Sequence, residues 1–123
     1  MKKFLKVFKL ILTVLFFIYT TLLLSFMFLS PKENRFNFAS NLQGVYLSQT
    51  VFNVLTFQFP NYSDAYFEQS VPFNKRGEFA RGFELLNIAV ELDPSLHLGY
   101  RGYMKLRFLR DYKNALIDFN RLD

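Results

Sequence analysis

The 123-residue chain has no cysteine, no tryptophan and a single histidine, with only four prolines and five glycines. The absence of cysteine excludes disulfides, thiolate metal sites, a cysteine nucleophile and a lipid-bearing cysteine. His97 is the lone imidazole. Acid–base work needs a positioned partner, and no carboxylate stands out beside His97 in the sequence, so it reads as a solvent-facing or packing side chain. There is no phosphate loop, no dinucleotide fingerprint and no histidine–carboxylate metal spacing. The tripeptide "NYS" at 61–63 matches a glycosylation acceptor, a short and common motif that matters only in a eukaryotic secretory setting. Dispersed carboxylates such as Glu84 and Glu91 read as solvated helix faces. The expectation is a chain that is not an enzyme and needs no cofactor or metal.

Excess charge is also scarce once its position is considered. The net charge is +5, but residues 31–123 hold 11 Lys plus Arg against 10 Asp plus Glu, and the remaining basic residues are Lys2, Lys3, Lys6 and Lys9. A nucleic-acid-binding domain needs a basic stripe on its folded part, so no nucleic-acid partner is expected.

Apolar surface, by contrast, is abundant: half of the chain is hydrophobic, with 17 phenylalanines. Residues 10–29, "LILTVLFFIYTTLLLSFMFL", run for 20 positions without a charge. At about 1.5 Å per residue such a helix is roughly 30 Å long, the thickness of a bilayer's hydrocarbon core. The lysines at 1–9 favour a cytoplasmic N-terminus and place the C-terminal remainder of the chain on the other side. The segment reads as an uncleaved signal anchor in the lipid bilayer. A cleaved signal peptide is the rival, but cuts after Ser30 or Ser25 would place Phe28 or Leu23 where a small residue is required.

Beyond the span, residues 30–40 have the proline and polar content of a linker. In the segment 41–62, "VFNVLTFQF" at 51–59 is rich in strand-forming residues, yet Ser48, Phe52 and Pro60 lie 34 positions before Gly82, Leu86 and Pro94. That offset favours a degenerate helical segment, with 40–47 as a weak partner helix. Residues 64–76 read as a helix, Gly77 as its left-handed end and 78–92 as a second helix with Phe79, Phe83, Leu86 and Val90 on one stripe. Gly82 and Ala89 offer an adjacent small-residue face for close helix approach. Pro72 lies inside the first helix and predicts a kink or break near Val71. Asp93-Pro94 ends the second helix. Ser95 is the expected cap of a helix running to about Arg110, with an inner stripe of either Tyr100, Tyr103 and Met104 or Gly99, Gly102, Tyr103 and Leu106. Asp111 then opens a helix carrying Tyr112, Ala115, Leu116 and Phe119 on one side. Arg76 and Arg110 are 34 apart, and beyond them the register slips by one.

A 34-residue helix–turn–helix unit with these residues resembles the tetratricopeptide repeat. The matching positions are Tyr66, Ser70, Phe73, Phe79, Gly82, Leu86, Ala89 and Pro94 in one copy, and Tyr100, Gly102, Tyr112, Ala115 and Phe119 in the next. Gln69 and Gly82 depart from the usual leucine and alanine. The resemblance covers 63–123, split into a repeat at 63–96 and an incomplete one at 97–123, and implies an all-α solenoid of antiparallel helical pairs. The next closing proline would fall past Asp123, so a truncated array is expected. The resemblance also implies a groove that takes a protein or peptide partner, lined here by Phe67, Val71, Asn74 and Lys75 in one unit and by Arg101 and Lys105, with Phe108 beside them, in the next. Arg101 and Lys105 are four apart and share a face, so with Asn74 they suit an acidic side chain or a free carboxylate. The function expected is a membrane-anchored interaction scaffold, its array periplasmic or extracellular. Two rivals stand beside it: a recognition or regulatory module of a longer protein with an enzymatic domain beyond Asp123, and a cleaved soluble envelope protein.

Overall fold

A computed structural model describes residues 1–122. Among the described residues the chain is all-helical and forms no strand. The elements are α1 (Lys2–Leu29), α2 (Lys32–Asn41), α3 (Tyr46–Gln58), α4 (Ser63–Lys75), α5 (Phe79–Leu92), α6 (Pro94–Met104) with a π-helical extension (Lys105–Leu109), and α7 (Tyr112–Asn120). From α2 onward each helix packs on the next in the chain.

α1 is 28 residues long and apolar enough to cross a membrane. Almost all of its side chains are exposed, so its hydrophobic surface finds no protein partner over most of its length. The hydroxyls of Thr13, Thr20 and Thr21 donate back to the carbonyls of Lys9 and Phe17, which satisfies polar groups that lipid would leave unpaired. Only its last turns meet the rest of the fold. Met27 is buried, and the Phe26 ring lies edge-on to Phe38 at 5.1 Å. Arg35, itself buried, donates to the Met27 carbonyl and to Gln58 Oε1, tying the end of α1 to α2 and α3.

The linker expected at 30–40 is a helix instead. Pro31 precedes α2, where its fixed φ suits a helix start and its missing N–H costs nothing. Phe36 and Ala39 then pack with Val51, Phe52, Leu55 and Ala65, burying a core that polar composition alone does not reveal. Thus α2, and not 40–47, is the partner of α3. α3 itself is a helix despite its strand-forming composition, because Ser48, Val51, Phe52 and Leu55 fall on one helical face.

No break occurs at Pro72: α4 runs through it to Lys75. The lost hydrogen bond lies near the helix end, and Pro72 is buried there. The end is a Schellman turn, with Gly77 N–H to Asn74 O at 3.1 Å, Glu78 N–H to Phe73 O at 2.9 Å and Gly77 at φ +78°, the left-handed conformation that glycine adopts without strain. α4 then lies so close to α5 that a Cβ on Gly82 would meet Asn74 Oδ1 at 1.9 Å. On α5, Leu86 and Val90 are buried as the stripe requires, Phe79 and Phe83 are only half-buried, and Leu85 is buried beside them.

α6 is capped by Asp93 and not by Ser95. Asp93 Oδ1 accepts from the Leu96 N–H at 3.1 Å, Pro94 occupies the first helical position, and Ser95 only donates to the same carboxylate. The buried set on α6 is His97, Leu98, Gly102 and Met104; only Gly102 and Met104 belong to the stripes expected from the sequence, and Tyr103, common to both, is exposed. A second core cluster of Leu86, Val90 and Leu98, with Phe67 and Tyr100 against it, joins α4, α5 and α6. The π extension closes with Asp111 N–H to Lys105 O at 2.9 Å and puts Arg110 in the left-handed region at φ +53°. On α7, Ala115 is buried and Phe119 half-buried, whereas Tyr112 and Leu116 are exposed and Asp118 is buried in their place.

Candidate functional site

Alternate helices α2, α4 and α6 converge on Tyr100, whose ring lies between two pockets. One, of about 280 Å³, is lined from α4 by Asn74 and Lys75 and from α6 and its extension by Tyr100, Tyr103, Met104 and Phe108. The other, of about 240 Å³, is lined by Phe36 from α2, by Asp64, Phe67 and Glu68 from α4, and by Leu96, His97 and Tyr100 from α6. The spacing of Asp64, Phe67 and Glu68 puts all three on one face of α4.

The first pocket is built around an amide. Asn74 is only 4 % exposed, and neither its Nδ2 nor its Oδ1 has a hydrogen-bonding partner among the described residues. Burial raises the Tyr100 phenol above its ordinary pKa, opposed by Asn74. Lys75 Nζ donates to Gln43 Oε1 at 3.1 Å.

The second pocket is aromatic on one side and acidic on the other. The Phe67 ring stacks on His97 at 5.0 Å and meets Tyr100 edge-on at 5.0 Å. His97 is buried, and its Nε2 has no hydrogen-bonding partner; the nearest charged atom is Asp64 Oδ1 at 3.5 Å. Burial pulls the imidazole below its ordinary pKa, against the opposing charges of Asp64 and Asp93. Burial pushes the Glu68 carboxyl up, opposed by the hydrogen bond that Gln43 Nε2 donates at 2.6 Å and by the charge of Lys75.

Of the groove residues expected from the sequence, Phe67, Asn74 and Lys75 gather around Tyr100, and Phe108 joins them. Val71 is half-buried and lines neither pocket. Arg101 and Lys105 do hold a carboxylate, but it is Asp118 of the same chain, which lies across on α7. Both cations are therefore engaged inside the fold, two on one carboxylate. The repeat pattern does not point to Phe36, hidden in the supposed linker, or to the acidic pair Asp64 and Glu68, although their four-residue spacing is a visible signal.

The repeat positions serve as packing points. Ser70 is buried and donates to the Phe67 carbonyl at 2.6 Å; Tyr66 is half-buried, and Phe79 lies 6.1 Å from Phe108. Gly82, Ala89 and Ala115 are buried, and Gly102 lies against the Phe119 ring, where a Cβ would come within 2.8 Å. Comparison with known proteins gives no match to a family model, to a curated protein or to a solved structure.

Proposed function

We propose that the chain is a membrane-anchored interaction module of tetratricopeptide type, whose groove around Tyr100 holds a segment of a partner protein on the non-cytoplasmic side. The observation that carries this reading is the open pocket shared by α4 and α6, where Lys75, Tyr100, Tyr103, Met104 and Phe108 line a surface above the buried Asn74. Tyr103 and Phe108 are exposed there, and a partner segment can cover their apolar area. The supporting features are the convergence of α2, α4 and α6 on one surface and the Schellman turn and small-residue contacts that set α4 against α5. α1 holds the groove at the membrane, and its N-terminal lysines favour the cytoplasmic side for that end.

A photo-crosslinking amino acid placed at Tyr103, in the groove, and separately at Arg81, exposed on α5, tests this in cells expressing the full chain. Discrete crosslinked partner proteins are expected from position 103 and not from position 81. Equal products from both positions, or none from 103, defeat the reading.

A further inference from the structure

The second pocket has a chemistry that the groove reading alone does not specify. Asp64 and Glu68 stand one helical turn apart on its acidic side, and neither forms a salt bridge with a lysine or arginine among the described residues. Glu68 accepts one hydrogen bond through Oε2, from Gln43, which leaves Oε1 free. Phe67 lies between them on the same face of α4, and Phe36, Tyr100 and His97 line the rest of the pocket, with the buried His97 Nε2 3.5 Å from Asp64 Oδ1.

From this juxtaposition we infer that the pocket receives the lysine or arginine side chain of the partner protein. The inference rests on the proposed groove and specifies the chemistry that one part of it recognises. Each wall suits a cation. The aromatic faces present their negative quadrupole to an ammonium or guanidinium. The two carboxylates accept its N–H groups in charge-assisted hydrogen bonds. An acidic side chain would meet like charges. Lys75, the nearest cation, is turned to Gln43 and lines the other pocket, so it does not fill this one. Burial, with the charge of Asp64 adding to it, raises the pKa of Glu68 against the Gln43 hydrogen bond and the charge of Lys75, and a bound cation would act in the same lowering sense.

Because His97 is the chain's one histidine, its ring provides a single NMR reporter inside the pocket. The full chain in lipid nanodiscs is titrated with the acetyl methylamides of lysine, arginine, norleucine and glutamate. The lysine and arginine probes are expected to shift the His97 signals saturably, binding about tenfold more tightly than norleucine, the difference one charge-assisted hydrogen bond gives. Asp64→Asn and Glu68→Gln, checked for intact helicity, are each expected to reduce that preference about tenfold. Equal binding of norleucine overturns the cation assignment and leaves the groove standing. Preference for glutamate, an undiminished lysine preference in the Asp64→Asn/Glu68→Gln double variant, or no saturable shift with any probe also overturns it, while crosslinking from position 103 judges the groove separately.

Discussion

Arg101 grips Asp118 through two hydrogen bonds, from Nε to Oδ2 at 2.9 Å and from Nη2 to Oδ1 at 2.7 Å, and Lys105 Nζ lies 2.8 Å from the same carboxylate. Asp118 is 1 % exposed, so this is an interior contact fastening α7 to α6 and its extension. Burial raises its pKa, but the hydrogen bonds and charges of Arg101 and Lys105 outweigh that and hold it below its ordinary value. Removing the carboxylate strands two cations. Asp118→Ala is therefore expected to destabilise the folded part by about 3 kcal/mol, measured by chemical denaturation in micelles. Because the folded pKa is depressed, the stabilisation is present above about pH 3.8 and is lost as the pH falls through the folded value. Charge reversal at Arg101 or Lys105 would report on the same packing and not on the groove.

Arg110 occupies a left-handed position at the end of the π extension, as Gly77 does after α4. A side chain with a Cβ is strained there by about 1–2 kcal/mol, and Arg110 is exposed with no ion pair among the described residues to offset it. Arg110→Gly is expected to stabilise by roughly 0.5–1 kcal/mol, since glycine's greater freedom in the unfolded chain cancels part of the relief. A thermal midpoint unchanged or lowered in Arg110→Gly would show that the turn is not strained.

These two contacts mark where the sequence is readable and where it is not. α5 is legible because its apolar stripe and the Asp-Pro after it agree on one element. α2 is not, because "KENRFN" carries few apolar residues and its burial depends on a core shared with α3 and, further along the chain, with Tyr62 and Ala65. In α3 the strand-forming side chains lose to the placement of the apolar ones, which only a helix gathers on one face. In α6 the glycines at 99 and 102 blur the period, and the true inner set is fixed by the surfaces that α5 and α7 present to it. At the candidate site, the positions carried over from the repeat resemblance include Phe67, Asn74 and Lys75, which line the pockets, and Val71, which does not. The pairing of Arg101 with Asp118, 17 residues away, depends on the π extension and the turn after it, which no local pattern encodes.

His97 makes stability depend on pH near neutrality. Its folded pKa lies below the ordinary 6.5 because burial disfavours the charged ring more than Asp64 and Asp93 favour it. Between the folded value and about 6.5 the unfolded chain binds the proton first, so stability falls as the pH drops through that window and is fully present above it. Asp64, Glu68, Lys75, Tyr100 and Tyr103 are the other titratable groups around the two pockets; Glu68, its pKa raised chiefly by burial, takes up its proton more readily in the folded chain than in the unfolded one and so opposes the decline. Denaturation midpoints measured from pH 8 to 5 are expected to decline in the native chain and to flatten in His97→Phe, which keeps the stack on Phe67. An identical slope in both would show that the decline does not come from His97.

The orientation of α1 is open to a clean test because the chain has no cysteine of its own. Lys2, Lys3, Lys6 and Lys9 cluster before the apolar stretch, and such clusters are retained on the cytoplasmic side. Single cysteines at Lys3 and at Glu84, an exposed position on α5, therefore report the two sides of the membrane. A membrane-impermeant maleimide is expected to label Glu84→Cys in intact cells with permeable outer layers, and Lys3→Cys only after lysis. The labelled chain is expected to stay with the membrane through carbonate washing, as a helix with 20 uncharged residues in the bilayer should. Release by carbonate would show that α1 is cleaved or lies outside the bilayer. Labelling of Lys3→Cys before lysis would reverse the orientation and move the groove to the cytoplasm, where its partner would have to be sought among cytosolic proteins.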